Sequence, residues 1–502
     1  MGWIPADTIR PPRPEEMPAW KDLSETERAF QERLMEVYAG FLEHTDVQVG
    51  RLIDELEARG IRDNTLVIYI LSDNGASAEG MSGSVAELNA QNAIPTTVDE
   101  HIAMAEQLGG LEAIGGPKMD NMYHSAWAWA GDSPFRYTKL VAADWGGTRT
   151  PMVISWPKRI VPDKTPRSQF HHVNDVVPTI YEILGIKPPK VVDGHQQDPI
   201  DGTSFVYTFD SPTAPAQKKT QYFDIMGSRG IYHEGWMAST FGPKIPWVAD
   251  PIDLSKWDPM QDRWELFDTR KDFSLMHDLA AERPEKLEEL KTLFMEVAKE
   301  NRVLPIGGGL FTPFNPQEQK RSTNTEWTLF EGMTRIPESQ APNVRNGNVR
   351  AEIEAEVPES VNGVIFAMGG YAGGVSLYAV NGELRYEYSA LLLKRDKITV
   401  GKLPAGKVEI KLEMRTPLER AAPAEVKFWI NGKEAAGGMV RRTVPLTFTA
   451  SETFDVGAET SSPVADEYFE KAPFAFEGKL KRLYFKNLQD ERPAFRRSPE
   501  DD

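Results

Sequence analysis

Leu66-Val-Ile-Tyr-Ile-Leu71, followed at once by Ser72-Asp73-Asn74-Gly75, decides how this chain is read. An apolar, β-branched and aromatic run of that length predicts a buried strand. It stops abruptly at two oxygen-bearing side chains and a glycine. In open α/β sheets ligands gather just beyond the carboxyl ends of strands. There an Asp carboxylate and an Asn amide are hard donors suited to a divalent cation such as Ca²⁺. Taken alone, these four residues read more simply as a strand-to-loop turn, because Asp, Asn and Gly favour turns.

Working outward, the first twenty residues are Pro-rich and predict an exposed strap. Ser24 and Glu27 form a capping-box pattern. The helix they open should bury Phe30, Leu34, Val37, Phe41, Ile53 and Leu56, and Gly60 can end it. Residues 76–135, rich in Gly, Ala, Ser and Asn, read as a long irregular segment that shapes a pocket. Beyond it come a strand over Pro151–Trp156, a helix over Val173–Leu184, and strands over Gln221–Ile225 and Gly230–Ala238. A second amphipathic helix runs from about Pro284 to Arg302. Alternating helix and strand patterns predict an α/β domain.

The bulk numbers set limits. A chain of 502 residues exceeds one simple core and implies two or three domains. A formal charge of −18 repels phosphate backbones, which argues against a nucleic-acid partner. No apolar stretch reaches the length of a membrane span, and no secretory leader is visible. Compartment stays open. There is no cysteine, which removes disulfides, thiolate metal sites and cysteine nucleophiles.

After a Gly/Pro/Asn-rich stretch the pattern changes to short alternating runs from Val349 to Phe485, with Asn381-Gly382 and Asn431-Gly432 as hairpin signals. The expected organisation is an α/β domain over 1–304, a linker over 305–329, an all-β sandwich over 330–495 and a tail over 496–502. Tyr371, Tyr378, Tyr386 and Trp429 are glycan-stacking candidates by residue type. Period-two aromatics in a sandwich are more often core.

Four motifs occur in one order: Asp63–Ala76; Ser133-Pro-Phe-Arg-Tyr-Thr-Lys139 with Gly146-Gly-Thr-Arg-Thr-Pro151; His171-His-Val-Asn-Asp-Val-Val-Pro-Thr179; and Trp264-Glu-Leu-Phe-Asp268. Together they resemble the type I sulfatases of the alkaline-phosphatase-like superfamily, particularly large bacterial arylsulfatases with a carboxyl-terminal β-sandwich. The resemblance implies a partial sulfatase sheet domain followed by a concanavalin/laminin-G-like sandwich. It implies hydrolysis of a small sulfate ester, with Asp73 and Asn74 as ligands of Ca²⁺ or Mg²⁺ and Lys139 binding the sulfate group. His124 and His172 rank below these as pocket residues: His124 falls in the irregular Asn121-Met-Tyr-His segment, while His172 begins a helix pattern and reads as well as a cap or a core histidine, with His171 beside it. A cation and an ammonium aimed at the nonbridging oxygens would stabilise the charge that develops there.

The resemblance also exposes gaps. The family nucleophile is a formylglycine made from Cys or Ser in a Cys/Ser-x-Pro-x-Arg signature. The formal match here, Ser155-Trp-Pro-Lys-Arg159, falls on an expected strand end and reads as a decoy. The family's amino-terminal Asp-Asp pair is also missing. These gaps imply that the sequence begins partway through the catalytic domain, is inactive by itself, and leaves apolar faces and strand edges over residues 1–300 exposed. Two other readings stay open: a non-catalytic glycan-binding or scaffold protein, and a phosphate or phosphonate ester hydrolase. The Asp73-Asn74 pair favours sulfatases over the last, since phosphatases of the superfamily commonly carry Asp-His at that point.

Overall fold

A computed structural model describes residues 2–71, 74–243, 246–247, 257–307, 324–417 and 419–488. Contacts divide the chain into two compact units that interleave in sequence. The first comprises residues 1–25, 35–81 and 123–319, and the second 26–34, 82–122 and 320–502. Most of the expected linker and the whole of the expected tail lie outside the described residues. No described helix is long and apolar enough to cross a membrane.

The long helix α1 (Glu25–Ala58), in the first unit from Met35 onward, ends where Gly60 turns left-handed at φ 65°. Its apolar residues were expected to form one buried face. Phe41 is instead 64% exposed, because its neighbours in the unit leave it uncovered. Strand β1 (Val67–Ile70) follows. It pairs antiparallel with β2 (Met152–Ser155), with Val67 opposite Ser155 and Ile70 opposite Met152. Between them lie α2 (Val98–Gln107), whose residues count with the second unit, and α3 (Ser125–Gly131).

Helix α4 (Val176–Leu184) ends at Gly185, left-handed at φ 66°. A four-stranded antiparallel sheet then runs β3 (Thr220–Ile225), β4 (Ser228–His233), β5 (Trp236–Thr240) and β6 (Glu265–Asp268). The single run expected over Gly230–Ala238 is two strands, because Glu234 and Gly235 adopt positive φ and turn the chain. Helix α5 (Pro284–Glu300) covers this sheet. Its Leu290, Phe294 and Ala298 recur at helical spacing and pack on Ile231, Ala238 and Leu266.

The second unit is a β-sandwich of two six-stranded antiparallel sheets. In one sheet, Val349–Val357 and Gly406–Arg415 alternate buried and exposed side chains, as a sheet with one wet face must. In the other, Gly363–Gly369 is buried throughout, and its outer face packs Val364 and Ala367 with Tyr378, Ala465 and Tyr468. Tyr378, Tyr386 and Tyr371 are at most 5% exposed, Tyr378 in this packing and Tyr386 in the main hydrophobic core, as the period-two reading anticipated. Lys411 lies over the ring of half-buried Trp429 at 4.1 Å. Asn381-Gly382 and Asn431-Gly432 make the two hairpin turns, all four residues at positive φ.

The segment expected to be irregular is largely ordered. Thr97 caps α2 and Glu100 returns the bond, a complete capping box. Residues 82–122 also join the sandwich rather than the α/β unit. Leu88 and Ile94 enter its core, and the Asn92 amide donates to Thr447 O at 2.8 Å while accepting from Leu446 N at 2.7 Å. The first turns of α1 belong here as well, with Phe30 and Leu34 buried and Gln31 donating to Ser82 O at 2.8 Å.

Candidate active site

Leu71 leaves β1 with its N–H donated to Pro151 O at 3.1 Å. Asp73 lies outside the described residues, and Asn74, Gly75 and Ala76 continue the chain. Gly75 sits at φ +83°, and a Cβ there would fall 1.9 Å from Gly146 O and 3.2 Å from Lys139 N. A Cβ on Gly146 would fall 1.7 Å from Tyr137 O, and one on Gly147 would fall 2.2 Å from Val141 O. Three backbones therefore stack without room for side chains. This is the physical reason for glycine at 75, 146 and 147.

Lys139 enters the same layer. Its backbone N–H donates to Ala76 O at 3.1 Å. On the other side, the Ala76 N–H donates to both carboxylate oxygens of Asp132 at 3.1 Å. Ala76 thus ties the loop after β1 to the start and the end of the Ser133–Lys139 motif. Arg136, inside that motif, pairs with fully buried Asp144 at 3.0 Å and with Glu265 at 3.1 Å. Asp144 in turn accepts Gly146 N–H at 3.2 Å, as cap of the one-turn helix Trp145–Thr148. The first, second and fourth motifs are thus bonded to one another.

The Lys139 ammonium pairs with Glu79 at 2.7 Å, the side chains 32% and 22% exposed. The same Glu79 oxygen accepts the Ser77 hydroxyl at 3.0 Å. Neither Glu79 nor Asp132 was singled out by the sequence reading. Asp132 stands directly before the Ser-Pro-Phe-Arg motif, which was the available signal. Burial, opposed by the Ala76 N–H and reinforced by Asp144, pushes the Asp132 carboxyl up to about 7.

The histidines sit in local frameworks. His124 caps α3, its Nδ1 accepting Ala126 N–H at 2.9 Å, and burial brings it down to about 4, so the ring is neutral. His172 caps the turn before α4 by accepting Asn174 N–H at 3.4 Å, and burial lowers it too. His171 links Asp175 and the Tyr207 hydroxyl, each at 3.0 Å, while buried Lys218 holds the other Asp175 oxygen at 2.9 Å. The decoy reading of Ser155 agrees with its place in β2, where its hydroxyl accepts Arg62 at 2.5 Å.

Among the described residues no three carboxylates or histidines converge on a cation site. Asn74 offers one amide oxygen, far short of the six to eight oxygens calcium takes. The described donors do not by themselves fit the metal, and the chemistry below rests on the protein's own charged groups.

Residues 11–186 match the Sulfatase family model. The chain is 31% identical over 302 residues to an uncharacterised sulfatase of Schizosaccharomyces pombe, covering 58% of this chain and 48% of that protein. It is 27% identical over 209 residues to an arylsulfatase of Klebsiella aerogenes, covering 41% of this chain and 40% of that protein. A solved structure from a glycosaminoglycan-metabolism locus of Bacteroides thetaiotaomicron overlaps with a TM-score of 0.34 at 18% identity, over 50% of this chain and 42% of that chain. The chain spans about half the length, or less, of these curated relatives. With three of the four motifs bonded to one another and the Sulfatase family match running over residues 11–186, the chain carries a sulfatase-family region and is similar to the type I sulfatases of the alkaline-phosphatase-like superfamily.

Proposed function

We propose that this chain supplies the sulfate-holding part of a sulfuric ester hydrolase site, with Lys139 as the oxyanion-binding cation and the Asn74–Ala76 loop as its wall. The observation that carries this reading is the bond from Lys139 N to Ala76 O, which sets the lysine beside the loop leaving β1. Cleaving a sulfate ester concentrates negative charge on the sulfate oxygens and the leaving oxygen. A fixed ammonium stabilises that charge more than it stabilises the ground state. Asp73 and Asn74 remain the proposed cation ligands, and His124 and His172 rank behind Lys139.

These residues by themselves bind a small sulfate ester and do not turn it over, because they hold no cysteine for formylglycine and Ser155 is a strand residue. The test is p-nitrophenyl sulfate with the purified chain, co-expressed with a formylglycine-generating enzyme. Binding without turnover, lost in Lys139→Ala, is the expected result. Turnover abolished by Asp73→Ala or Lys139→Ala would refute the inactivity. A glycan-binding role draws little support, since three of its four aromatic candidates are buried.

A further inference from the structure

We infer that Glu79 is the charge-selecting residue of the Lys139 site: held against the ammonium, it shifts the site's preference away from a doubly charged phosphate monoester and toward a singly charged sulfate ester. This rests on the sulfate-site reading above and adds what that reading leaves open, how the site tells two tetrahedral anions apart.

The geometry fixes Glu79 in place. One carboxylate oxygen takes both the Lys139 ammonium at 2.7 Å and the Ser77 hydroxyl at 3.0 Å. The Glu79 N–H returns to the Ser77 oxygen at 3.4 Å. Lys139 is pinned through its backbone to Ala76, three residues before Glu79. Both partners are partly buried, so solvent screens the pair only in part. An ammonium has three N–H donors and no acceptor. One goes to Glu79, and among the described residues no other acceptor takes the remaining two, which can meet an incoming oxyanion.

The pair carries no net charge. A sulfate monoester brings one negative charge and can use the two free N–H donors. A phosphate monoester above its second ionisation, near pH 6, brings almost two. Each negative charge about 5 Å from the Glu79 carboxylate binds more weakly than it would beside a neutral residue, by a factor between about four and a few hundred as the effective dielectric falls from about 80 to about 20, so the dianion meets this penalty twice and the monoanion once. Shape does not separate the two anions. The carboxylate does.

The experiment is equilibrium binding to the full chain at pH 8 for phenyl sulfate, phenyl phosphate and methyl phenyl phosphate, the last a singly charged phosphate. Wild type, Glu79→Gln and Lys139→Ala are compared, with circular dichroism confirming that each is folded. Glu79→Gln should tighten phenyl phosphate about tenfold or more. It should tighten phenyl sulfate and methyl phenyl phosphate by only about the square root of that factor, because each carries one charge instead of two, so the phosphate-to-sulfate ratio rises about fourfold or more. Lys139→Ala should lose all three. If Glu79→Gln leaves the phosphate-to-sulfate ratio within about twofold of wild type while Lys139→Ala still loses binding, the charge-selection role is overturned and the sulfate site stands. If wild type and Lys139→Ala bind all three ligands alike, or not at all, the sulfate-site reading falls and this inference with it.

Discussion

Gly75→Ala should be costly out of proportion to the single methyl group it adds. Gly75 stands at φ +83°, where an alanine pays about 1–2 kcal/mol in backbone strain. Its Cβ would also lie 1.9 Å from Gly146 O, a backbone atom that cannot swing aside. Forcing a methyl into packed structure adds about 1–3 kcal/mol. The sum, about 2–5 kcal/mol, is a large share of the roughly 5–15 kcal/mol that holds a domain folded. Gly185→Ala is the internal control. Its φ of +66° imposes similar strain, yet a Cβ there meets nothing within 4 Å. Thermal and urea unfolding of the full chain, followed by circular dichroism, would compare the two. The expected gap between them is about 1–3 kcal/mol, or several degrees in Tm. Phenyl sulfate binding should weaken in Gly75→Ala and stay unchanged in Gly185→Ala. Equal destabilisation by the two substitutions would refute the three-backbone stack beside Lys139.

Asp132→Asn should stabilise the first unit at pH 8 by about 1–3 kcal/mol, discounted for solvent access, and change little at pH 4. The folded carboxyl, at about 7, holds its proton longer than the unfolded one near 3.8, so its contribution is complete below about pH 4 and lost as pH rises through 7. A pH-independent effect would contradict this. Val177→Lys combined with Leu184→Lys should reduce self-association in light scattering and shift the unfolding free energy by less than about 1 kcal/mol, since these α4 side chains are 50% and 61% exposed. Unchanged scattering would count against an apolar association surface there. In the sandwich, Tyr388→Phe should cost about 1–3 kcal/mol in urea unfolding. Its hydroxyl donates to Arg345 O at 2.7 Å and accepts Val444 N–H at 2.9 Å, which would be left unpaired. A cost near zero would show that these bonds are replaced.

What could be read from the sequence was local. β1 and β2, α5 and the Asn-Gly hairpins follow from periodicity and turn chemistry that neighbouring residues carry. Residues 82–122 could not be assigned to the sandwich, because Asn92 finds its partners at Leu446 and Thr447, far along the chain. Helix α2 went unread within the segment taken as irregular, because the surrounding Gly, Ala and Asn residues masked the capping-box signal of Thr97 and Glu100. Phe41 kept helical spacing and still remained exposed, since spacing says which face a residue shares and not whether anything covers it. In the site, Lys139 was named through the motif around it. Glu79 and Asp132 escaped notice because their roles arise only when Ala76 and Lys139 meet. The glycines at 146 and 147 were quoted as part of a motif, and their reason appears only with Tyr137 O and Val141 O in place.

The most direct test of the sulfate-holding site is a crystal structure of the chain grown with selenate, whose anomalous signal locates the anion. The account places the peak about 3 Å from the Lys139 ammonium, at the loop that follows Asn74. A peak elsewhere, or Lys139 turned away from that loop, would contradict it.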